Sequence, residues 1–196
     1  MAASPWPGPH CRMPLPEDEA APRIRPATAG DIPAITAIYA HHVRHGRASF
    51  ELEPPDEAEL RRRQEALLAQ GMPYLVLEQG GAVLGYAYAG PYRPRPAYRD
   101  TVENSIYVRA DQAGRGFGRR LLAALIEACE ARGLRQMVAV VGDSANAASI
   151  GLHRAMGFRE VGVLRAVGWK HGQWLDSVLL QRALGPGAAE PPVPRG

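Results

Sequence analysis

The chain has 196 residues, 46% hydrophobic and 22% charged, a globular composition with enough material for one domain and its core. A formal net charge of +3 suits an anionic ligand but is far too small to mark a nucleic-acid partner. No apolar run approaches the roughly 20 residues a membrane span needs, no basic-then-apolar leader opens the chain, and Cys11 and Cys129 make no disulfide framework, so a reducing cytoplasm is expected.

Residues 1–22 hold six of the 18 prolines and residues 185–196 four more. Proline at that density supplies few backbone donors and no apolar period, so both ends are expected to be disordered tails around a folded domain at 23–184. Residues 23–27 read as a short strand, and Thr28-Ala29-Gly30-Asp31 as a cap-like break. Ile32, Ile35, Ile38/Tyr39 and Val43 recur at helical spacing and predict an amphipathic helix over 31–45. Pro54-Pro55-Asp56 opens a second helix, 56–69, which Gly71 ends. Strands follow at 74–78 and 82–89, with hairpin chemistry in Gln79-Gly80-Gly81 between them.

A stiff, basic loop at 91–96 leads into a strand over 101–108. Gly114, Gly116 and Gly118 then run directly into a helix that reaches about Arg132, with Gly133 as its C′ residue. Cys129 shares that helix's apolar face with Leu121, Leu122, Leu125 and Ile126 and is expected in the core. Residues 137–141 are nearly all apolar, which predicts a strand buried on both faces. A short helix over 146–156 is closed by Gly157-Phe158, and strands at 160–169 and 173–182 join through Lys170-His171-Gly172. The order β-α-α-β-β-β-α-β-α-β-β predicts an α/β (α+β) mixed sheet with helices on both faces.

The glycine turn carries the chemistry. A dinucleotide fingerprint needs a glycine three residues after the second one, and position 119 is arginine. A nucleoside-triphosphate loop ends in Gly-Lys-Ser/Thr, which Gly118-Arg119-Arg120 does not supply. A pyrophosphate cradle remains: glycines let successive N–H groups aim at one point, and the next helix adds its free N–H groups and positive dipole end. Arg115, Arg119 and Arg120 add cationic surface. The plain alternative is a tight turn with solvated arginines. His41 and His45, at i,i+4 on the first helix, have no other ligand type near them in sequence, so no metal is expected.

Ala113-Gly114-Arg115-Gly116-Phe117-Gly118 resembles the coenzyme A pyrophosphate loop of the GNAT superfamily of N-acetyltransferases, and Asn146-Ala147-Ala148-Ser149 with Leu152-His153 and Gly157-Phe158 matches its second hallmark. More narrowly, the chain is similar to the phosphinothricin and methionine sulfoximine acetyltransferases. That likeness rests on Ala48-Ser49-Phe50, Glu53-Pro54, Gly90-Pro91-Tyr92, Arg95, Thr101-Val102-Glu103, Ser105-Ile106-Tyr107-Val108, Leu164-Arg165 and Gly168-Trp169-Lys170-His171-Gly172. The resemblance implies a mostly antiparallel sheet of about seven strands flanked by about four helices and splayed between the fourth and fifth strands. It also implies acetyl-CoA as cofactor, a small amino acid as substrate and a homodimer. The superfamily loop usually begins with arginine or glutamine where this chain has Ala113, which predicts weakened cofactor binding, with Gln112 as the neighbour placed to compensate.

In that family the position of Glu103 carries the proposed general base, and His153 stands where relatives place an acid for the departing sulfur. The backbone near Tyr107 polarises the thioester oxygen. Cofactor contacts carry over to Ile106, Tyr107, Val108, Ala113, Gly114, Arg115, Gly116, Phe117, Gly118, Arg119, Asn146 and Ser149. Asn146 either bonds the pantetheine arm or caps its own helix. Substrate contacts carry over to Phe50, Tyr92, Arg95, Glu103 and Lys170. Two alternatives stay open: the same chemistry on a polyamine, aminoglycoside or protein N-terminus, and a non-catalytic coenzyme A-binding module.

Overall fold

The computed structural model describes residues 21–192. The first proline-rich segment, up to residue 20, and residues 193–196 lie outside the described part, and so does most of what was expected of the N-terminal tail.

Strand β1 (Arg23–Pro26) leads through a one-turn 3-10 helix at Ala29–Asp31 into α1 (Ile32–His45). The cap-like break is a capping box: Asp31 Oδ2 accepts from the Thr28 N–H at 2.7 Å and from the Thr28 hydroxyl at 3.0 Å. Arg25 clamps the same carboxylate through both Nη atoms, at 2.7 and 2.8 Å. Helix α2 (Glu57–Ala69) begins at Asp56, whose Oδ1 accepts from the Glu59 N–H at 2.8 Å. Strands β2 (Tyr74–Gln79), β3 (Ala82–Pro91) and β4 (Thr101–Val108) form an antiparallel meander. After the glycine turn come α3 (Phe117–Glu130), β5 (Gln136–Gly142), α4 (Ala147–Ala155), β6 (Arg159–Lys170) and β7 (Gln173–Ala183).

The seven strands form one sheet in the order β1-β2-β3-β4-β5-β7-β6, and β4–β5 is its one parallel pair. One core, beneath α1 and α2, joins Ile35, Ile38 and Val43 to Val76, Val83 and Tyr86. The other joins Leu121, Leu122, Leu125 and Cys129 of α3 to Leu77, Val102, Met137 and Leu180. Helices therefore cover both faces, as the element order predicts.

One expectation changes. Strand β5 is not buried throughout, because Val140 is 38% exposed. The described chain continues past β7 as far as Pro192. Leu184 is fully buried, Gly185 N–H donates to Glu130 Oε1 at 3.2 Å, and Arg135 Nη2 donates to the Pro191 carbonyl at 2.8 Å.

The clamp on Asp31 sets an acid-stability prediction. Hydrogen bonding from Arg25 and Thr28 holds its carboxyl down at about 2, against the desolvation that opposes it. A depressed carboxylate contributes stability that is present above the ordinary carboxyl range and is lost as pH falls toward 2. Asp31→Asn should cost about 1–2 kcal/mol at neutral pH and flatten the stability curve between about pH 4 and pH 2, read by urea denaturation at several pH values.

Candidate active site

The site is made by a pairing that stops. Strands β4 and β5 pair from Thr101↔Gln136 to Asn104↔Ala139 and no farther. Beyond that point β4 stays paired with β3 through Val108, and β5 with β7 through Gly142. The Arg109 N–H donates to the Leu84 carbonyl and the Tyr92 N–H to the Thr101 carbonyl, so odd-numbered residues of β4 bond to β3. Ladder alternation then turns the N–H and C=O groups of Ile106 and Val108 into the gap. By the same count, from Asp143 N–H to the Asp176 carbonyl, the gap-facing groups of β5 are those of Val140 and Gly142. Val140 is exposed because it faces this opening.

A cleft of about 1080 Å³ occupies the split. Of the residues expected at the site, Phe50, Glu103, Ile106, Tyr107, Val108, Ala113, Gly114, Gly116, Phe117, Gly118, Arg119, Asn146, Ser149 and His153 line it. Arg115, Tyr92, Arg95 and Lys170 do not form its wall. Arg115 bonds Gln112 Oε1 and lies over the Phe117 ring at 4.9 Å, so Gln112 organises the loop that Ala113 leaves without a longer side chain. Arg95 is exposed, and Tyr92 packs edge-on to Tyr98.

At the glycine turn, Gly114 and Gly116 have φ of 78° and 76°, a left-handed conformation that L side chains adopt only with strain. A Cβ at either would meet nothing within 4 Å, so backbone conformation, not space, demands glycine there. The first helical bond closed across the turn is Arg120 N–H to the Gly116 carbonyl, which leaves the N–H groups of 117–119 free at the positive end of α3. Arg120 is committed elsewhere, donating to the Pro22 carbonyl at 2.6 Å.

Alternation places Glu103, Ser105 and Tyr107 on one face of β4. Tyr107 packs with the core under α1, and its ring lies 5.0 Å from that of Tyr39. Ile106 and Val108 pack on the α3 side, and Asn104 bonds His153 there. Glu103 and His153 thus stand on opposite faces of β4 and share the cleft at its open edge. Burial pushes the Glu103 carboxyl up from its ordinary value, and the Arg93 charge opposes this. His153 is 4% exposed, and burial pushes its imidazole down, countered in part by its bond to the Ser149 carbonyl. Asn146 caps its own helix, accepting from Ser149 N–H at 3.2 Å while still lining the cleft.

Sequence reading missed a second set of residues. His42 Nε2 donates to the Val108 carbonyl at 2.8 Å, satisfying one polar group of the gap. Tyr39 donates to Glu51 Oε1 at 3.0 Å, and its oxygen lies 2.9 Å from Ser49 Oγ. Tyr39 has one proton, so the Ser49 hydroxyl is the donor of that pair. Among the described residues, no group of three or more His, Cys, Asp or Glu side chains is placed to hold a metal ion.

Lys170 acts from behind the wall. It is 3% exposed and donates to the Ser49 carbonyl at 2.7 Å, while His171 Nε2 donates to the Gly46 carbonyl at 3.3 Å. Phe50 lies where a Cβ on Gly168 would come within 2.5 Å of its ring and one on Gly142 within 2.9 Å. Arg47 and Asp143 close the same loop with a 3.2 Å ion pair. Residues 46–51 are thereby strapped across the mouth of the split.

The sequence model of the acetyltransferase (GNAT) family matches residues 35–158. The chain belongs to the GNAT family of acetyltransferases. This GNAT chain is 56% identical over 164 residues to a phosphinothricin N-acetyltransferase of Alcaligenes faecalis, covering 84% of this chain and 83% of the relative. It is 46% identical over 169 residues to an L-methionine sulfoximine/L-methionine sulfone acetyltransferase of Pseudomonas paraeruginosa, covering 86% and 98%. A solved GNAT phosphinothricin acetyltransferase from Sinorhizobium meliloti, in complex with acetyl-CoA, superposes with a TM-score of 0.85 at 46% identity, over 88% of this chain and 93% of that one.

The strap gives the GNAT site a prediction. Lys170→Met leaves the Ser49 carbonyl unbonded and loosens Phe50, so the KM for the acceptor should rise roughly tenfold, the scale of one lost charged hydrogen bond. The KM for acetyl-CoA should change less than about twofold. Equal losses for both substrates would show that Lys170 supports the whole domain instead.

Proposed function

We propose that this enzyme transfers acetyl from acetyl-CoA to the α-amine of a small amino acid of the phosphinothricin or methionine sulfoximine type, by direct attack in a ternary complex. One observation carries the reading: a single cleft joins a left-handed glycine turn at a free helix N-terminus, a gap lined with unpaired backbone groups, and a raised carboxylate at Glu103. The residues present fit acetyl-CoA. The N–H groups of 117–119 suit a pyrophosphate, and the exposed groups of Ile106, Val108 and Val140 suit an extended arm bearing amides. The activities of the relatives support the same reading.

Acetyl-CoA, when bound, supplies the acetyl group as a thioester. Glu103 takes a proton from the substrate's ammonium, directly or through one water, and the neutral amine so formed attacks. The substrate's own ionised carboxylate keeps a free amino acid's ammonium above the range of a chain terminus, so nearly all of it is protonated at pH 7 and the reaction needs this base. The N–H groups of Ile106 and Val108 stand in the gap to polarise the carbonyl oxygen, since Tyr107 and Arg109 spend theirs on β3. His153 serves the cofactor side of β4. Arg93, stacked on Tyr92 at 5.0 Å, and Arg95 make the loop after β3 attractive to an anionic acceptor. The reading includes a homodimer, for which the exposed Val161, Leu164, Val167, Trp169 and Trp174 of β6–β7 offer an apolar face, and a cytoplasmic setting, which suits the free, buried thiol of Cys129.

Thiol release with acetyl-CoA and L-methionine sulfoximine or phosphinothricin tests the assignment. Turnover of these with none on polyamines or aminoglycosides is expected, and the reverse pattern overturns it. Glu103→Gln should lower kcat/KM by about 10² or more. Glu103 must be ionised to act, and burial raises its pKa, so the wild-type rate should fall on the acid side above the ordinary glutamate range near 4.3. That acid limb should be missing from the Gln variant.

A further inference from the structure

We infer that Asn104 is a positioning residue for His153: it holds the ring in one tautomer and, by turning its amide, accommodates a second proton on it. The inference rests on the acetyl-transfer reading only for what that proton is used for; the hydrogen bonds themselves are independent of it.

His153 Nδ1 lies 2.8 Å from the Ser149 carbonyl, which can only accept, so Nδ1 carries the hydrogen. Nε2 of the neutral ring is then an acceptor, and Asn104 Nδ2 donates to it at 2.9 Å. Both ring nitrogens are engaged and both side chains are buried. The other end of the amide, Asn104 Oδ1, is buried without a partner. Buried amide oxygens are rarely left so, and each costs on the order of a hydrogen bond.

The unpartnered oxygen has a use. If Nε2 takes up a proton, Nδ2 and the new N–H confront each other as two donors. A half-turn about Cβ–Cγ puts Oδ1 in place of Nδ2 and makes a charge-assisted bond to the imidazolium. Oδ1 gives up no bond in turning. The same residue thus serves both protonation states at one position on the cofactor side of β4.

Little else can do this. From the residue just before β6, the Phe158 ring meets His153 edge-on at 5.0 Å and has no proton to exchange. From its own helix, only the Ser149 carbonyl reaches it, and burial is the larger cause that favours the neutral ring. The titratable groups of the neighbouring strands that line the cleft are Glu103 and Tyr107, on the other face of β4, and Asp143, beyond the end of β5 and paired with Arg47.

The experiment is a nitrogen-15 NMR titration of the His153 imidazole in wild type, Asn104→Leu and Asn104→Asp, run beside the pH profile of kcat/KM. In wild type at neutral pH, Nδ1 should be protonated and Nε2 bare. Asn104→Leu removes the acceptor for the imidazolium and should lower the His153 pKa by about one pH unit. Asn104→Asp, with a fixed acceptor, should raise it by at least about as much. Asn104→Ser keeps a hydroxyl that both donates and accepts; if the Asp variant does not fold, Ser should titrate near wild type while Leu moves. A His153 titration unmoved in all variants, or a wild-type ring with the hydrogen on Nε2, overturns the inference. A titration that shifts as stated while the rate profile stays still supports the hold of Asn104 on His153 and removes His153 from catalysis instead.

Discussion

The molecule depends on a parallel pairing that ends after four residues. Strands β4 and β5 can part at Asn104 and Ala139 only because each keeps an antiparallel partner on its outer side. The parting leaves backbone N–H and C=O groups facing one another across a gap too wide for them to bond. Unpaired polar groups in a protein interior cost roughly 1–3 kcal/mol each. The chain answers one of these itself, with His42 on the Val108 carbonyl. The rest face an open cleft, where a ligand with its own amides can bond them. The binding demand is built into the sheet, before any side chain is considered.

Much of this was legible in the sequence, for identifiable reasons. Element order followed from apolar period and from punctuation such as Gln79-Gly80-Gly81 and Gly133, both local properties of the chain. The glycine turn was readable because its two left-handed residues tolerate little else. What escaped notice depends on register. Nothing local says that Val140 faces an opening, since an exposed valine inside an apolar strand looks like a buried one. His42 carries no local signal, because its acceptor is a backbone group 66 residues away. The bond from Arg135 to the Pro191 carbonyl, 56 residues apart, has no local signal either.

Lys170 shows how resemblance and geometry can name the same residue for different work. Its place in the Gly168–Gly172 run suggests a substrate contact. Its ammonium instead ties down the Ser49 carbonyl, burial pushes its pKa down, and Gly168 clears the space into which Phe50 fits. The hairpin of β6 and β7 therefore shapes the cleft indirectly, by holding residues 46–51. Glycine at 142 and 168 reflects the same constraint from below: a methyl group at either position would collide with the strap or its phenyl ring.

The two faces of β4 carry two titratable groups into one cleft. Glu103 lies on the α1 side with Ser105 and Tyr107, and lines the cleft together with residues 46–51. His153 lies on the α3 side, on a helix whose first turn also lines the cleft. Burial drives the two groups in opposite directions, the carboxyl up and the imidazole down. Both shifts favour the neutral form, one on each face of the same strand. Glu103 and Asn104 are adjacent in sequence and point to opposite faces, so a single peptide of β4 fixes the spacing between the Glu103 carboxyl and the His153 ring that Asn104 holds.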